Sequence, residues 1–583
     1  MSYYNVDFET RSTVDLRRSG VYPYAAHPDT DVLCMSYADV EGVVRTWVPG
    51  DPIDETFVEH IRSGGVLRAW NAPFEKEIWT QVMTARYGWP DPALEQWVDT
   101  AAEAAVMALP RSLGAAAAVL GLPLQKDDEG KAVMLKMCKP RTTGAYWTLT
   151  DDQRHGPYAT RADAYRASRE LGGEIVQDDH TVVWWDTPEL RARLIEYCEM
   201  DVRVERQICE MLRDLSPAET AIYQMTQRMN DRGVGVDTEL VAAAKALLDE
   251  DMEAAHERIR EITDGEVHSI TQTIKLRDWI NAQTGWGLDN LRKDTVRDLL
   301  AGRAQERARQ SSEIENDAVR AALQLRQDYG LSSNAKLESF LKCTTEDGRA
   351  KGLLLYHGAS TGRWSGKLVQ PQNFPRPTVD PEKYIASVLD GGLPDGSPAV
   401  PVVISSMLRS MLRANEGNVM MAADYGQVEA RVLAWLAGQE DLIERFRSGG
   451  KIYETMAAYI YGVGVEEIGK DSFERHIGKM TILGAGFGMG HAKFKDQVKV
   501  QSGVDISEAQ AKTAIDGYRQ MNYAISRYWA DVQEASIRAT LKPGTVESAG
   551  VVPVLFQVQG SFLVCKLPSG RKLYYADPQV KDR

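Results

Sequence analysis

In the opening run YYNVDFE, Asp7 and Glu9 are two residues apart in strand-like sequence, so both carboxylates point to one face. Two carboxylates on one face can share divalent cations through oxygen ligands. Alone the pair says little: with 83 acids in 583 residues, roughly a dozen acid-x-acid matches arise by chance. Two further spacings add to it. In NAPFEKEIW, Asn71 and Glu75 are four apart at a strand-to-helix junction, and in YCEMD, Tyr197 and Asp201 are four apart, which sets a phenol and a carboxylate on one side of a helix. Strand acids, a junction acid and a helical Tyr-x-x-x-Asp suit metal-assisted phosphodiester hydrolysis. The acids hold two cations that stabilise attacking and leaving oxygens, and the phenol orients a water.

A second constellation begins at MAADYGQVEARVLAWLAG, Met421 to Gly438, where an apolar run ends in Asp424 and a helix-like segment follows. Its pattern D-Y-x-Q-x-E-x-R is expected by chance about once in five thousand chains of this length. In RHIGKMTILGAGFGMG the glycines tempt a dinucleotide reading, but Gly484 and Gly486 are followed by Met489 where G-x-G-x-x-G needs glycine. Read as a helix, Arg475, Lys479, Leu483 and Phe487 recur every four residues on one slanting face about 18 Å long. Two cations at one end suit a triphosphate, and apolar groups further on suit a base pair.

The first set resembles the three motifs of the proofreading 3'→5' exonuclease superfamily, in the variety whose third motif carries tyrosine. That resemblance implies Asp7, Glu9 and Asp201 as principal metal ligands, Glu75 as the second-motif acid and Tyr197 as water positioner. Glu75 stands where the family usually has aspartate, so rate and geometry depart from the pattern there. The second set resembles motifs A and B of the family A DNA polymerases, the class of bacterial DNA polymerase I and many phage replicases. It implies Asp424 as a metal ligand on a buried palm strand, VMMAA, and a following helix that packs Val432, Trp435 and Leu436 and stops at Gly438. Gln427, Glu429, Arg475, Lys479, Leu483 and Phe487 are then nucleotide-binding. Arg475 and Lys479 hold phosphates, Lys479 also counts as catalytic, and Glu429 excludes a 2'-hydroxyl. Leu483 departs from the family's aromatic. STGRWSGKLVQPQNFPR resembles the T-G-R and Q-N-x-P segments, which makes Arg363, Gln372, Asn373 and Arg376 DNA-binding.

The family's motif C, a His-Asp-Glu hairpin with the second palm aspartate, has no match. Beyond Gly490 the aspartates are Asp496, Asp505, Asp516, Asp531, Asp577 and Asp582, and only Asp577 follows a strand-like run. Three readings follow: a split gene whose second polypeptide supplies motif C, a truncation, or an exonuclease whose polymerase-like half only binds DNA. The resemblance implies Mg2+, with Mn2+ as substitute, two ions per active site. Partners are primer-template DNA, dNTPs and, in the exonuclease site, a single-stranded 3' end. With no 5'-nuclease domain ahead of the exonuclease, a phage replicative enzyme is expected.

The elements that must position these residues define an α/β multidomain chain, a ribonuclease H-like exonuclease domain followed by an incomplete right hand. The expected parts are an exonuclease domain at 1–215, a helical thumb at 216–345, a palm at 346–440, fingers at 441–530, and the start of a C-terminal palm at 531–583. Residues 125–185 read as a polar, irregular insert and 377–401 as a Pro- and Gly-rich loop. Hydrophobic content of 43% and charged content of 26% are ordinary for folded globular proteins. The net charge of -15 argues against a polyanionic partner taken alone, yet Arg326 to Arg376 holds eight Lys or Arg against four acids, a basic island for phosphate contact. Six scattered cysteines without a C-x-x-C pair suggest neither zinc nor disulfides. With no signal peptide and no apolar run of spanning length, a cytoplasmic protein of a bacterial or phage-infected cell is expected, away from membranes.

Overall fold

Tyr4, Val6 and Phe8 alternate with Asn5, Asp7 and Glu9. In the computed structural model, which describes residues 3–124, 127–150, 153–302, 316–330, 335–502 and 504–581, they form strand β1 (Tyr3–Arg11). With β2 (Asp31–Ala38), β3 (Val44–Trp47), β4 (Val66–Ala69) and β5 (Trp97–Asp99) it builds a sheet in the order β3-β2-β1-β4-β5. β1 runs antiparallel to β2 and parallel to β4. Val6 and Phe8 enter an aromatic core with Phe57, Trp79 and Trp89. The alternate residues meet the Pro188–Met211 helix: Asn5 Nδ2 donates to Cys209 Sγ at 3.5 Å, and Cys198 Sγ lies 3.4 Å from Asp7 Oδ2. That helix starts as its sequence requires, with Pro188 in the first turn and the Thr187 hydroxyl accepting the Leu190 N–H at 3.3 Å.

The chain divides into two compact units, residues 1–105 with 109–420, and residues 421–583 with 106–108. In the first, the stretch expected to be irregular is ordered. Helix Asp128–Met137 leads to a three-stranded antiparallel sheet, β7-β6-β8, of β6 (Pro140–Leu149), β7 (Arg154–Tyr158) and β8 (Glu174–Trp184), with helix Arg161–Leu171 against it. Within the sheet Ala145 and Thr148 are the only buried side chains among the described residues, and Thr148 Oγ1 donates to Ala164 O of the covering helix at 3.1 Å, so with polar residues through its strands the strand period is easily missed in sequence. Downstream, long helices Pro217–Arg232 and Thr238–Ile262 dominate, as the pattern predicted, but Val234–Val236 between them pairs with Arg349–Ala350 and Leu412–Arg413. The expected 377–401 loop contains helix Ile385–Leu389, anchored by buried Val388.

The second unit gathers helices Val428–Ala437, Glu440–Arg447, Ile452–Tyr461, Phe473–Ala485, Glu508–Met521 and Tyr523–Leu541 around one core. A sequential four-stranded sheet follows, and the turn before its last strand closes with Gly570 at φ 85°, its N–H donating to Leu567 O at 2.9 Å. Two expectations fail here. The VMMAA segment is not a strand. Val419 is 84% and Met421 89% exposed, and residues 417–424 pair with no described strand; an extended run becomes a strand only when a neighbour takes its backbone hydrogen bonds. Likewise Val432 and Trp435 are nearly half exposed, and Ala434 and Ala437 are what the helix buries, although it does end at Gly438 in the left-handed conformation. Among the described residues no helix is long and apolar enough to cross a membrane.

Candidate active sites

Asp7 and Glu9 on β1 and Asp201 on the long helix converge: one ligand atom from each lies within 4.8 Å of the others, and no other such trio of acid, His or Cys ligands occurs among the described residues. The period of two aligns the strand acids, and a bulge between Glu9 and Thr10 in the β1–β2 pairing locally re-aims the strand beside Glu9. Tyr197, one turn before Asp201, is buried. Burial first, then the negative fields of Asp201, Glu9 and Asp7 and a hydrogen bond to Asp201, raise its pKa and keep the phenol protonated.

Glu75 follows Asn71, which holds a left-handed φ of 76° at the β4-to-helix junction while its N–H donates to Asp99 Oδ1 at 3.2 Å. Glu75 is buried, its Oε2 has no hydrogen-bond partner among the described residues, and burial followed by the charge of Asp7 pushes its carboxyl well up. Sequence reasoning missed Glu205. It continues the four-residue spacing of Tyr197 and Asp201 by one more turn, accepts from Thr100 Oγ1 at 2.7 Å, and is pushed up to about 8 by burial, with Thr100 opposing and the charge of Asp7 adding. So many carboxyls in one buried region oppose each other's ionisation, and oxygen-seeking divalent cations are what such a donor set fits.

In the second unit the proposed polymerase residues are only partly brought together. Glu429, Leu483 and Phe487 line one cavity of about 170 Å³ with Ala430, Leu433, Ile482 and Gly486. Phe487 lies beyond the Phe473–Ala485 helix and is 69% exposed, so the expected four-member helical face stops at Leu483; the glycines after Ala485 end the helix. Arg475 Nε donates to Glu454 Oε1 at 2.6 Å, and the Arg475 and Lys479 charges lie 5.6 and 6.0 Å from the centre of the Tyr453 ring. Gly478 between them permits this packing, since a Cβ there would stand 2.2 Å from the Tyr453 carbonyl oxygen. Asp424 is exposed in the unpaired segment, and Gln427 caps the next helix with φ 56°; neither lines the cavity. Asp577 follows strand Lys572–Ala576 with φ 44°, its N–H donating to Ser561 O at 2.8 Å, and Asp582 lies outside the described residues. In the first unit Arg363, Gln372, Asn373 and Arg376 are all exposed, the middle two on the Pro371–Asn373 turn, where Asn373 Nδ2 donates to Gln370 Oε1 at 2.8 Å.

A carboxylate cluster with a buried phenol, and a helix that carries two cations and borders an apolar cavity with its later residues, fit phosphoryl-transfer chemistry through divalent metal ions. Residues 238–546 match the model of DNA polymerase family A, and the chain belongs to that family, the DNA-directed DNA polymerases. It is 30% identical over its full length to the DNA polymerase of Bacillus phage SP02, of which it covers 83%. The thermostable DNA polymerase I of Thermus filiformis is 32% identical over 153 residues, 26% of this chain and 16% of that protein. The polymerase domain of Pol1 from M. smegmatis, solved with DNA primer-template and dNTP, is similar in fold with a TM-score of 0.54 at 14% identity, over 98% of this chain and 78% of that one.

Proposed function

We propose that this chain is a phage-type replicative polymerase that proofreads, its acid cluster removing misincorporated nucleotides from a single-stranded 3' end in the cytoplasm of a bacterial host. The observation that carries the exonuclease is the convergence of Asp7, Glu9 and Asp201 within 4.8 Å, with Tyr197 one turn away. Mg2+ or Mn2+, two ions per site, would be held there by Asp7, Glu9 and Asp201, and by Asp424 in the palm, supplying charge stabilisation to attacking and leaving oxygens. Tyr197, kept protonated by burial and by the acids around it, donates a hydrogen bond that orients the attacking water. Glu75, aimed into the same buried region, supports the approach of the scissile phosphate.

In the polymerase half, Arg475 and Lys479 take the phosphates of an incoming dNTP, which requires Arg475 to exchange its hold on Glu454. Glu429 meets the sugar, while Leu483 and Phe487 form the apolar wall for the base. Arg363, Gln372, Asn373 and Arg376 grip primer-template DNA from the first unit. The domain plan of this reading is an exonuclease at 1–215, a thumb to 345, a palm to 440, fingers to 530 and a further palm segment from 531. A companion layer over Asp424, supplied by residues outside these 583 or by a second polypeptide, is supported by the apolar surface of Met421, Tyr425, Val428, Val432 and Trp435, each 45% to 89% exposed.

The test is degradation of single-stranded 3' ends by the purified chain in Mg2+. The double variant D7A/E9A is expected to lose it entirely; undiminished degradation refutes the site.

A further inference from the structure

Beside the acid cluster lies a strip of cations and indoles that neither reaction uses. Half-buried Trp185, just past β8, has two cations on its ring, Lys136 Nζ at 4.3 Å from the centroid and Arg141 Cζ at 4.7 Å. Trp184 carries Arg11 Cζ at 5.0 Å. Exposed Lys139 stands between Lys136 and Arg141 in sequence. Arg11 is neutralised by Asp186 at 3.2 Å, and Arg141 reaches Asp163 only at 3.9 Å. Lys136 and Lys139 have no acid within 4.0 Å among the described residues. One cation over one indole is an ordinary surface contact. Two on the same ring repel each other, and in a chain of net charge -15 this local excess is arranged for an anion.

Two elements join the strip to the cluster. Arg11 is two residues beyond Glu9 on β1. Helix Asp128–Met137 meets Tyr197 at Gly130, where an added Cβ would come within 2.6 Å of the Tyr197 side chain, and reaches Trp185 six residues later through Lys136. Six helical residues rise about 9 Å, the span of about three stacked nucleotides at 3.4 Å each.

We propose that Arg11, Lys136, Lys139, Arg141, Trp184 and Trp185 form a subsite for single-stranded DNA leading into the acid cluster. Lys136, Lys139 and Arg141 take backbone phosphates and the indoles receive bases, a sequence-tolerant mode of binding. The proposal rests on the exonuclease reading for the direction of the strand, and its test separates the two. With the full chain in EDTA, an oligothymidylate 20-mer carrying 5-iodouracil three to five nucleotides from its 3' end is photo-crosslinked and mapped by mass spectrometry. Adducts at Trp184 or Trp185 are expected; adducts confined to other regions overturn the subsite. In Mg2+, K136Q/R141Q is expected to raise KM for degrading the 20-mer about tenfold with kcat unchanged. Its KM should lose about 1.4 from the slope of its logarithm against log salt, two phosphate contacts at roughly 0.7 each, while KM for a trinucleotide, which stops short of the strip, stays the same. Equal KM and salt slope in variant and wild type overturn the subsite. Adducts at the tryptophans with no wild-type degradation leave the subsite standing and overturn the exonuclease reading instead.

Discussion

Replacing Asp201 by Asn tests the acid cluster as an electrostatic object. Ligand atoms of Asp7, Glu9 and Asp201 lie within 4.8 Å of one another. Two ionised carboxylates at that distance repel by about 3.5 kcal/mol at an effective dielectric constant of 20. Asp201 takes part in two such pairs, and solvent screening at half-exposed Asp7 reduces the sum. Asn fills the same volume and still accepts the hydrogen bond from Tyr197. In EDTA at pH 8, D201N is therefore expected to stabilise the Pro188–Met211 helix by about 2 kcal/mol, read as slower amide hydrogen exchange in that segment. Adding Mg2+ should slow exchange strongly in wild type and little in the variant, because cation binding favours the folded state, and 3'-end degradation by D201N should fall at least a hundredfold. Faster exchange in D201N than in wild type, both in EDTA, would mean that Asp201 is a structural hydrogen-bonding group rather than one of a mutually repelling set. Equal protection of both proteins by Mg2+ would refute its role as a ligand.

Two further perturbations probe the scaffold. Gly478→Ala places a Cβ 2.2 Å from the Tyr453 carbonyl oxygen, so it should destabilise the second unit by about 1–3 kcal/mol and weaken dNTP binding, measured by urea denaturation and nucleotide titration; wild-type values for both would show that the two helices part freely. Glu103 is pushed up to about 7 by burial, with Arg68 opposing. Since its folded pKa lies above the unfolded value near 4.5, its contribution is fully present below pH 4.5 and is lost as pH rises through 7, on the order of 3 kcal/mol in all. Glu103→Gln should flatten that part of the urea-midpoint profile, and an unchanged slope would exclude Glu103 as its source.

The acids of the first cluster were legible because their spacing is local geometry. A period of two aligned Asp7 with Glu9, and a period near 3.6 aligned Tyr197 with Asp201, whatever surrounded them. Glu205 obeyed the same helical period but carried no motif, and only burial against Thr100 marked it. The insert was misread because few side chains of its sheet are buried and polar residues run through its strands, which blurs the period of two. VMMAA was misread for the opposite reason: its composition is that of a buried strand, yet the hydrogen bonds that make a strand belong to a neighbour.

By itself the amino-acid order determined which side chains share a face, where the long helix begins, where the helix after Asp424 ends, and the family to which these motifs point. Only the tertiary structure decided that β1 and the Pro188–Met211 helix lie against each other, so that three carboxylates meet within 4.8 Å, that Glu75 and Glu205 are shut from water, and that Asp424 stands exposed. Periodicity acts over a few residues through backbone geometry. Convergence, desolvation and strand pairing depend on groups far apart in the chain, and no local pattern encodes them.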